Sequence, residues 1–226
     1  MRRKDIISRL LRFEEFANFY HNEWVPKNIL TDLKIDPSCA MYGAAVFDKN
    51  KRPCIVLRQL TESPNDIFLL AHEMCHVIKH VEKQSIEFGK APTLMAQAYK
   101  EEEIFDMGNK LGSMLDDPLI NSLLQDKYSF NPAHFYTSVF IPDTSRSLDS
   151  YGDPLYEWHI FKKALLYSQF ALQLDSIKDT NALIEWDKLK EKYIIRRPNV
   201  SRIGEELYLM TNNYGYNDIK KNNDDY

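Results

Sequence analysis

Apolar positions along the chain follow the period of a helix in some segments and that of a strand in others. Residues 4–20 carry apolar side chains three and four positions apart, which predicts an amphipathic helix that faces the core. Short apolar runs at 42–47 and 53–58 flank the polar segment 48–52, and the second run is rich in β-branched residues. This pattern predicts a β-hairpin, with Pro53 at the start of its second strand.

The segment after the hairpin has a clear helix start. Ser63 can cap a helix, and Pro64 suits the first helical position because the missing N–H is not needed there. The apolar run that follows predicts a helix that continues to about His80. A second long helix is predicted from about Thr93 to Leu115.

The second half of the chain is also predicted to be mainly helical. The segment 116–118, Asp-Asp-Pro, indicates that one helix stops and another starts, with the aspartates as caps. Helices are predicted over about 155–174 and 180–193, and the Asn- and Asp-rich tail at 211–226 is expected to be frayed. We therefore expect an α+β fold class, mostly helical, with a small antiparallel sheet packed on the helix at 63–80.

The composition narrows the class of protein and of partner. The chain has 226 residues and a net charge of −4, so we expect one globular protein without the basic surface that nucleic acid would require. Three cysteines are too few for a disulfide framework and favour a reducing, cytoplasmic compartment. Charges interrupt the apolar residues near the N-terminus, and no apolar run approaches the roughly 18 residues of a membrane span, so no membrane partner is expected.

The helix at 63–80 contains an HExxH motif, His72-Glu73-Met74-Cys75-His76. Positions four apart on a helix differ by about 40° in direction and one turn in height, so both imidazoles can point at one ion. Neutral imidazole is a good ligand for Zn²⁺. Glu73 follows the first histidine and is placed to take a proton from a metal-bound water. The motif predicts His72 and His76 as metal ligands, Glu73 as the catalytic residue and Zn²⁺ as the cofactor.

The hairpin and this helix together resemble a known family. The strand at 54–58, a short polar loop and the helix with its Ala-His-Glu-x-x-His sequence are similar to the core of the ImmA/IrrE-type metallopeptidases, over about residues 40–115. The resemblance implies a gluzincin-like, zinc-dependent protease with a mostly helical, zincin-like domain. We expect that domain to be single and to cover 1–210, with 40–115 as the metallopeptidase core and 119–210 as a helical C-terminal part.

The third metal ligand is less clear. The resemblance implies a glutamate from a second helix, and Glu101, Glu102 and Glu103 open the helix predicted after the motif. Glu102 lies almost opposite the apolar face of that helix, which disfavours it. Its spacing to Asp106 nevertheless resembles the gluzincin pair, in which an acid one turn on supports the ligand shell. We expect Glu102 as the third ligand, with Glu101, Glu103 or a later acid such as Asp106 or Asp117 as alternatives.

Two neighbours of the motif are not expected to bind the ion. His80 continues the row of histidines, but three histidines on one helix span about 12 Å along its axis and cannot readily share one ion, so His80 is expected to lie behind the ligands or on the surface. Cys75 points to another side of the helix and is expected to be a packed thiol.

These residues predict a zinc-dependent metallopeptidase that hydrolyses peptide bonds of a cytosolic protein or peptide, such as a regulator. The substrate could lie along the strand Ile55-Val56-Leu57 by adding to its edge. Because the third-ligand pattern is incomplete, the alternative is a catalytically degenerate metal-binding module for regulation or interaction. A further hypothesis is that the HExxH motif is accidental and the chain is a helical interaction protein.

Overall fold

A computed structural model describes residues 3–39, 42–50, 52–84, 101–139, 156–177 and 179–214. The strands in these residues are β1 (Asp32–Ile35), β2 (Gly43–Phe47) and β3 (Pro53–Leu57). The α-helices are α1 (Arg3–Leu10), α2 (Glu14–Phe19), α3 (Pro64–Val81), α4 (Glu101–Tyr128), α5 (Tyr156–Ser176), α6 (Thr180–Arg196) and α7 (Pro198–Tyr214). The chain divides into two compact units, Met1–Ser85 with Ile120–Pro132 and Ile86–Leu119 with Ala133–Tyr226.

The sheet of the first unit has the strand order β1-β3-β2. The predicted hairpin is confirmed, because β2 and β3 pair antiparallel from Gly43 opposite Leu57 to Phe47 opposite Pro53. β1 pairs parallel with β3 on its other side. The expected α+β fold is therefore confirmed, but the sheet is mixed rather than antiparallel. The sequence did not indicate β1 because it has only four residues and most of them are exposed, so it lacks a buried face.

The central strand β3 is the strand predicted to receive a substrate, and that prediction is wrong. Both of its edges are already paired, to β1 and to β2. An extended peptide adds only to an unpaired edge, because its backbone needs free N–H and C=O groups. The side chains of Ile55 and Leu57 are almost fully buried, as expected for a central strand that packs on α3.

Helix α3 starts as the sequence predicts. The Ser63 hydroxyl oxygen accepts a hydrogen bond from the Asp66 N–H at 3.2 Å, and Pro64 occupies the first turn. The Asp66 carboxylate in turn accepts hydrogen bonds from the N–H and the hydroxyl of Thr61, at 2.8 Å and 2.6 Å. These contacts fix the position of the helix start, and most of the helix after it is buried.

Helix α4 continues through Pro118, so the predicted stop and cap at 116–118 are wrong. Proline cannot donate a hydrogen bond to the carbonyl four residues earlier, which costs about 3 kcal/mol inside a helix. The helix persists because it buries apolar side chains on both sides of the proline, including Leu115, Ile120 and Leu124. Tertiary packing outweighs the local signal here.

The second unit is a group of helices in which α5 packs along α7 and α6 contacts both. A Cβ on Gly204 would lie 2.5 Å from the Tyr167 ring, so α7 approaches α5 closely only because this residue is glycine. One core cluster of this unit consists of Met107, Met114, Leu115, Trp158, Leu165 and Leu172. No helix in the described ranges combines the length and apolar content needed to cross a bilayer.

The C-terminal end of α4 is tied to the N-terminal segment of the first unit through Glu23. The Glu23 carboxylate accepts hydrogen bonds from the Tyr128 hydroxyl and from Lys127, the latter at 2.6 Å. Burial alone would raise the pKa of Glu23, but the hydrogen bonds from Lys127 and Tyr128 outweigh burial and hold the pKa below its ordinary value. The ionised form of Glu23 therefore stabilises the fold.

We predict that Glu23→Gln lowers the free energy of unfolding by about 1–2 kcal/mol at pH 7. Most of the loss should come from Tyr128, because Lys127 is exposed and screened by solvent. A carboxylate with a lowered folded-state pKa stabilises the protein above the ordinary glutamate pKa of about 4.3, and this contribution disappears as the pH falls through the folded-state value. Urea unfolding of the wild-type protein and of Glu23→Gln at pH 7 and pH 3 measures this contribution. An equal deficit at both pH values would contradict the prediction.

Candidate metal centre

The two histidines of the HExxH motif converge on one point. His72 is 5% exposed and His76 is half-buried, and their Nε2 atoms lie 3.2 Å apart. Two nitrogen ligands at about 2.0–2.1 Å from a tetrahedral Zn²⁺ lie about 3.3 Å from each other. The observed spacing of the two imidazoles therefore fits a shared zinc ion.

Asn121 orients the first of these histidines. The Asn121 Oδ1 atom lies 3.1 Å from His72 Nδ1, and both residues are buried. Because an amide oxygen can only accept a hydrogen bond, Asn121 favours the His72 tautomer that has its proton on Nδ1, in which Nε2 is the nitrogen that can bind a metal. Such a partner fixes both the tautomer and the ring direction that a metal site needs. Sequence reasoning missed Asn121, since it is separated from the motif by 49 positions and stands in no recognisable motif.

An aspartate completes a group of potential metal ligands. Asp117 lies one helical turn before Asn121 on α4, so the same face of this helix carries both side chains. His72, His76 and Asp117 are the group of possible metal ligands found among the described residues. Two imidazoles and one carboxylate are a donor set that suits Zn²⁺ and leaves a position for water or substrate.

Two glutamines of α5 hold Asp117 in place. The Asp117 Oδ2 atom accepts hydrogen bonds from the side-chain amides of Gln169 and Gln173, each at 2.8 Å. All three side chains are buried, and neutral amide donors stabilise a buried carboxylate without cancelling its charge. The Oδ1 atom of Asp117 is buried as well. These two amides therefore fix the position of the Asp117 carboxylate.

Glu73 is buried next to the first histidine, with 7% of its surface exposed. Its carboxylate lies beside the backbone of Gly43, the first residue of β2. A carboxylate in a site that excludes most water is suited to proton transfer, because its position is fixed and its neighbours set its basicity. Helix α3 thus carries a buried acid next to the first histidine of the pair.

The helix that carries the HExxH motif lies within a segment that matches a known protein family. Residues 33–115 match the family model Peptidase_M78, the IrrE N-terminal-like domain. The resemblance to the ImmA/IrrE family predicted over about residues 40–115 is confirmed, and the match supports a zinc metallopeptidase-like domain. No curated protein and no solved structure matches the chain. The matched segment contains the HExxH motif and ends before Asp117.

Within the matched segment, Cys75 is buried as the sequence predicts, and His80 is half-buried. The His80 ring packs on Phe47 of β2, with ring centroids 3.8 Å apart. Cys75 is 3% exposed, and burial raises the pKa of its thiol well above the ordinary range. A thiol that resists ionisation is a poor metal ligand, which agrees with the expectation that Cys75 is a packed thiol.

Glu102, the expected third ligand, lies in the first turn of α4. Its side chain lies outside the described residues, as do those of Glu101, Glu103 and Asp106. The assignment of Glu102 therefore stays a prediction. Asp117, one of the later acids considered as an alternative, is grouped with the two histidines as a possible ligand among the described residues.

We predict that His72→Ala abolishes stoichiometric zinc binding, because it removes one imidazole of the pair. The measurement is metal content by inductively coupled plasma mass spectrometry on protein that has been stripped and resupplied with zinc. His80→Ala is the matched control on the same helix, and it should keep the metal because its ring packs on Phe47. Loss of zinc in both variants, or in neither, would contradict the assignment.

A second metal measurement decides the third ligand. We predict that Asp117→Asn weakens zinc affinity at least about tenfold, since the amide keeps the shape but loses the charge that attracts the ion. Competition with a chromogenic chelator measures the affinity. Glu102→Gln, which makes the same chemical change on the same helix, is the paired variant. A loss of affinity in Glu102→Gln alone would show that Glu102 is the ligand and that Asp117 is not.

Proposed function

We propose that this protein is a zinc-dependent metallopeptidase that hydrolyses peptide bonds of a cytosolic protein. The observation that carries the proposal is the pair of histidine Nε2 atoms 3.2 Å apart, with the buried carboxylate of Glu73 on the same helix. The match of residues 33–115 to the IrrE N-terminal-like domain supports a peptidase-type hydrolase at the level of the family. The proposal includes a reducing, cytosolic location for the protein. In the described structure, Cys39, Cys54 and Cys75 are free thiols, as they would be in such a location.

The roles of the residues follow from their chemistry. His72 and His76 would hold the ion together with one acid, and Asn121 keeps the His72 ring in its binding orientation. A zinc ion held by these residues would act as a Lewis acid and would lower the pKa of a water to about 7. Glu73 would accept a proton from the attacking water and deliver it to the nitrogen of the leaving amine. Its burial keeps bulk water from competing for that proton.

The strand β2 offers a place for an extended substrate. Within the described part of the sheet, β2 is an outer strand, paired with β3 on one side. It packs on α3, with Gly43 beside Glu73 and Phe47 beside His80. A peptide that adds to the other edge of β2 would therefore run along the helix that carries the motif. This replaces our expectation that the substrate lies on Ile55–Leu57.

A second function is favoured by the environment of Asp117. Its Oδ2 atom already accepts hydrogen bonds from Gln169 and Gln173, so a metal ion would compete with these two donors for that oxygen. A site of reduced metal affinity suits a regulatory or interaction module that has lost turnover. The metallopeptidase remains the better-supported function because Glu73 is buried beside the histidines, and a binding module gains nothing from burying that carboxylate.

We predict that Glu73→Gln lowers the rate of peptide hydrolysis at least about 100-fold, because glutamine cannot accept the proton of the attacking water. The probe is a defined mixture of synthetic peptides incubated with zinc-loaded protein and read by mass spectrometry. Zinc content should be unchanged in the variant, since Glu73 is not among the expected ligands. Full activity of the variant would refute the role of Glu73. Zinc binding without cleavage by the wild-type protein would favour the regulatory module.

A further inference from the structure

We propose that Gly43 is a positioning residue, which fixes the carboxylate of Glu73 by leaving no more than the space of a hydrogen atom beside it. Glu73 is the proton acceptor of the proposed function, and the catalytic part of this inference rests on that function. The contact between Gly43 and Glu73 can be tested without it. Both residues belong to the first unit, Gly43 on β2 and Glu73 on α3.

The space around Gly43 is too small for a side chain. A Cβ on Gly43 would lie 3.1 Å from both Cγ and Oε1 of Glu73, and 3.0 Å from Cδ2 of Leu57. Carbon–carbon contacts inside proteins are most favourable at about 3.5–4.0 Å, so an added methyl group would overlap with both neighbours. The backbone of Gly43 is not in the left-handed region. Space, rather than backbone conformation, is therefore what requires glycine here.

The strand cannot move away from the helix to make room. Gly43 pairs with Leu57 in the β2–β3 ladder, and next to it the Arg58 N–H donates a hydrogen bond to the Tyr42 carbonyl at 2.9 Å. The Arg58 guanidinium also lies over the Tyr42 ring, 4.6 Å from its centroid, and donates to the Cys39 carbonyl at 3.0 Å. Side-chain and backbone contacts thus hold the chain on the N-terminal side of Gly43.

The two neighbours differ in how they can respond. Leu57 has 0% of its surface exposed, so its side chain is enclosed on every side. Glu73 has more rotatable bonds, and its carboxylate would be displaced by a few tenths of an ångström or more. A general base must stay within about 2.6–3.2 Å of the proton that it accepts, and a shift of about 1 Å can cost 100-fold in rate. A methyl group on Gly43 would therefore act on catalysis through Glu73.

A thermal-unfolding cycle on the full chain tests the contact. Gly43→Ala should lower the melting temperature by about 3–8 °C when Glu73 is present. In the Glu73→Ala background the same change should cost less than half as much, because the Cγ and Oε1 atoms that it meets are gone. Val46→Ile, which adds one carbon to an exposed position of the same strand, is the matched control and should leave the melting temperature unchanged.

Several outcomes of this cycle would overturn the proposal. One is an unchanged melting temperature in Gly43→Ala. Another is that Gly43→Ala lowers the melting temperature equally with Glu73 present and in the Glu73→Ala background. If Gly43→Ala does not fold, the double variant decides the question. Recovery of a cooperative transition on adding Glu73→Ala supports the contact, and continued failure to fold overturns it.

Kinetics on the zinc-loaded protein test the consequence. Gly43→Ala should keep its zinc and lower kcat by about 10–100-fold, while KM changes less than about threefold. Glu73→Asp withdraws the carboxylate by one methylene group, so in that background Gly43→Ala should change kcat less than about twofold. Equal losses in both backgrounds would overturn the positioning role. Absence of cleavage by the wild-type protein would instead refute the proposed function, and the unfolding cycle would still decide the contact.

Discussion

The site depends on placing two imidazoles and a carboxylate on a helix that is otherwise buried among apolar side chains. Burying polar groups without partners costs several kcal/mol, so each of them needs a defined neighbour. His72 receives one from Asn121, and its Nε2 atom lies 3.2 Å from that of His76. Glu73 rests against the backbone at Gly43. The burial that makes these polar groups energetically costly is therefore also what holds the functional atoms of the helix in position.

In helix α4, a local sequence that opposes the helix is outweighed by the burial of apolar side chains. Its sequence contains Asp-Asp-Pro, which in isolation favours a helix end, yet the helix continues because Leu115 and Ile120 are buried on either side of the proline. An unbroken helix keeps Asp117 and Asn121 one turn apart, on one face. A break at Pro118 would separate the potential ligand from the residue that orients His72. The continuity of the helix is thus a requirement of the site and not only of the fold.

Local patterns predicted the parts of the protein that depend on local physics. The cap at Ser63, the hairpin and the spacing of His72 and His76 all follow from neighbours within a few positions, and all are present. The parallel strand β1 was missed because its short, exposed sequence has no alternating pattern. Asn121 could not be found because its role arises from the packing of two helices. A contact between residues that are 49 positions apart produces no pattern in the sequence around either residue.

The remaining question is what makes a helix with this motif into a site with one fixed geometry. The helix alone sets the relative positions of its histidines, but a glutamate side chain has enough rotamers to place its carboxylate in many directions. A glycine on an adjacent strand restricts those rotamers by steric contact, because even a Cβ at Gly43 would lie 3.1 Å from Cγ and Oε1 of Glu73. The backbone of β2 at Gly43 therefore excludes the rotamers that would bring the carboxylate closer to the strand, and this contact adds to the restriction that burial already imposes.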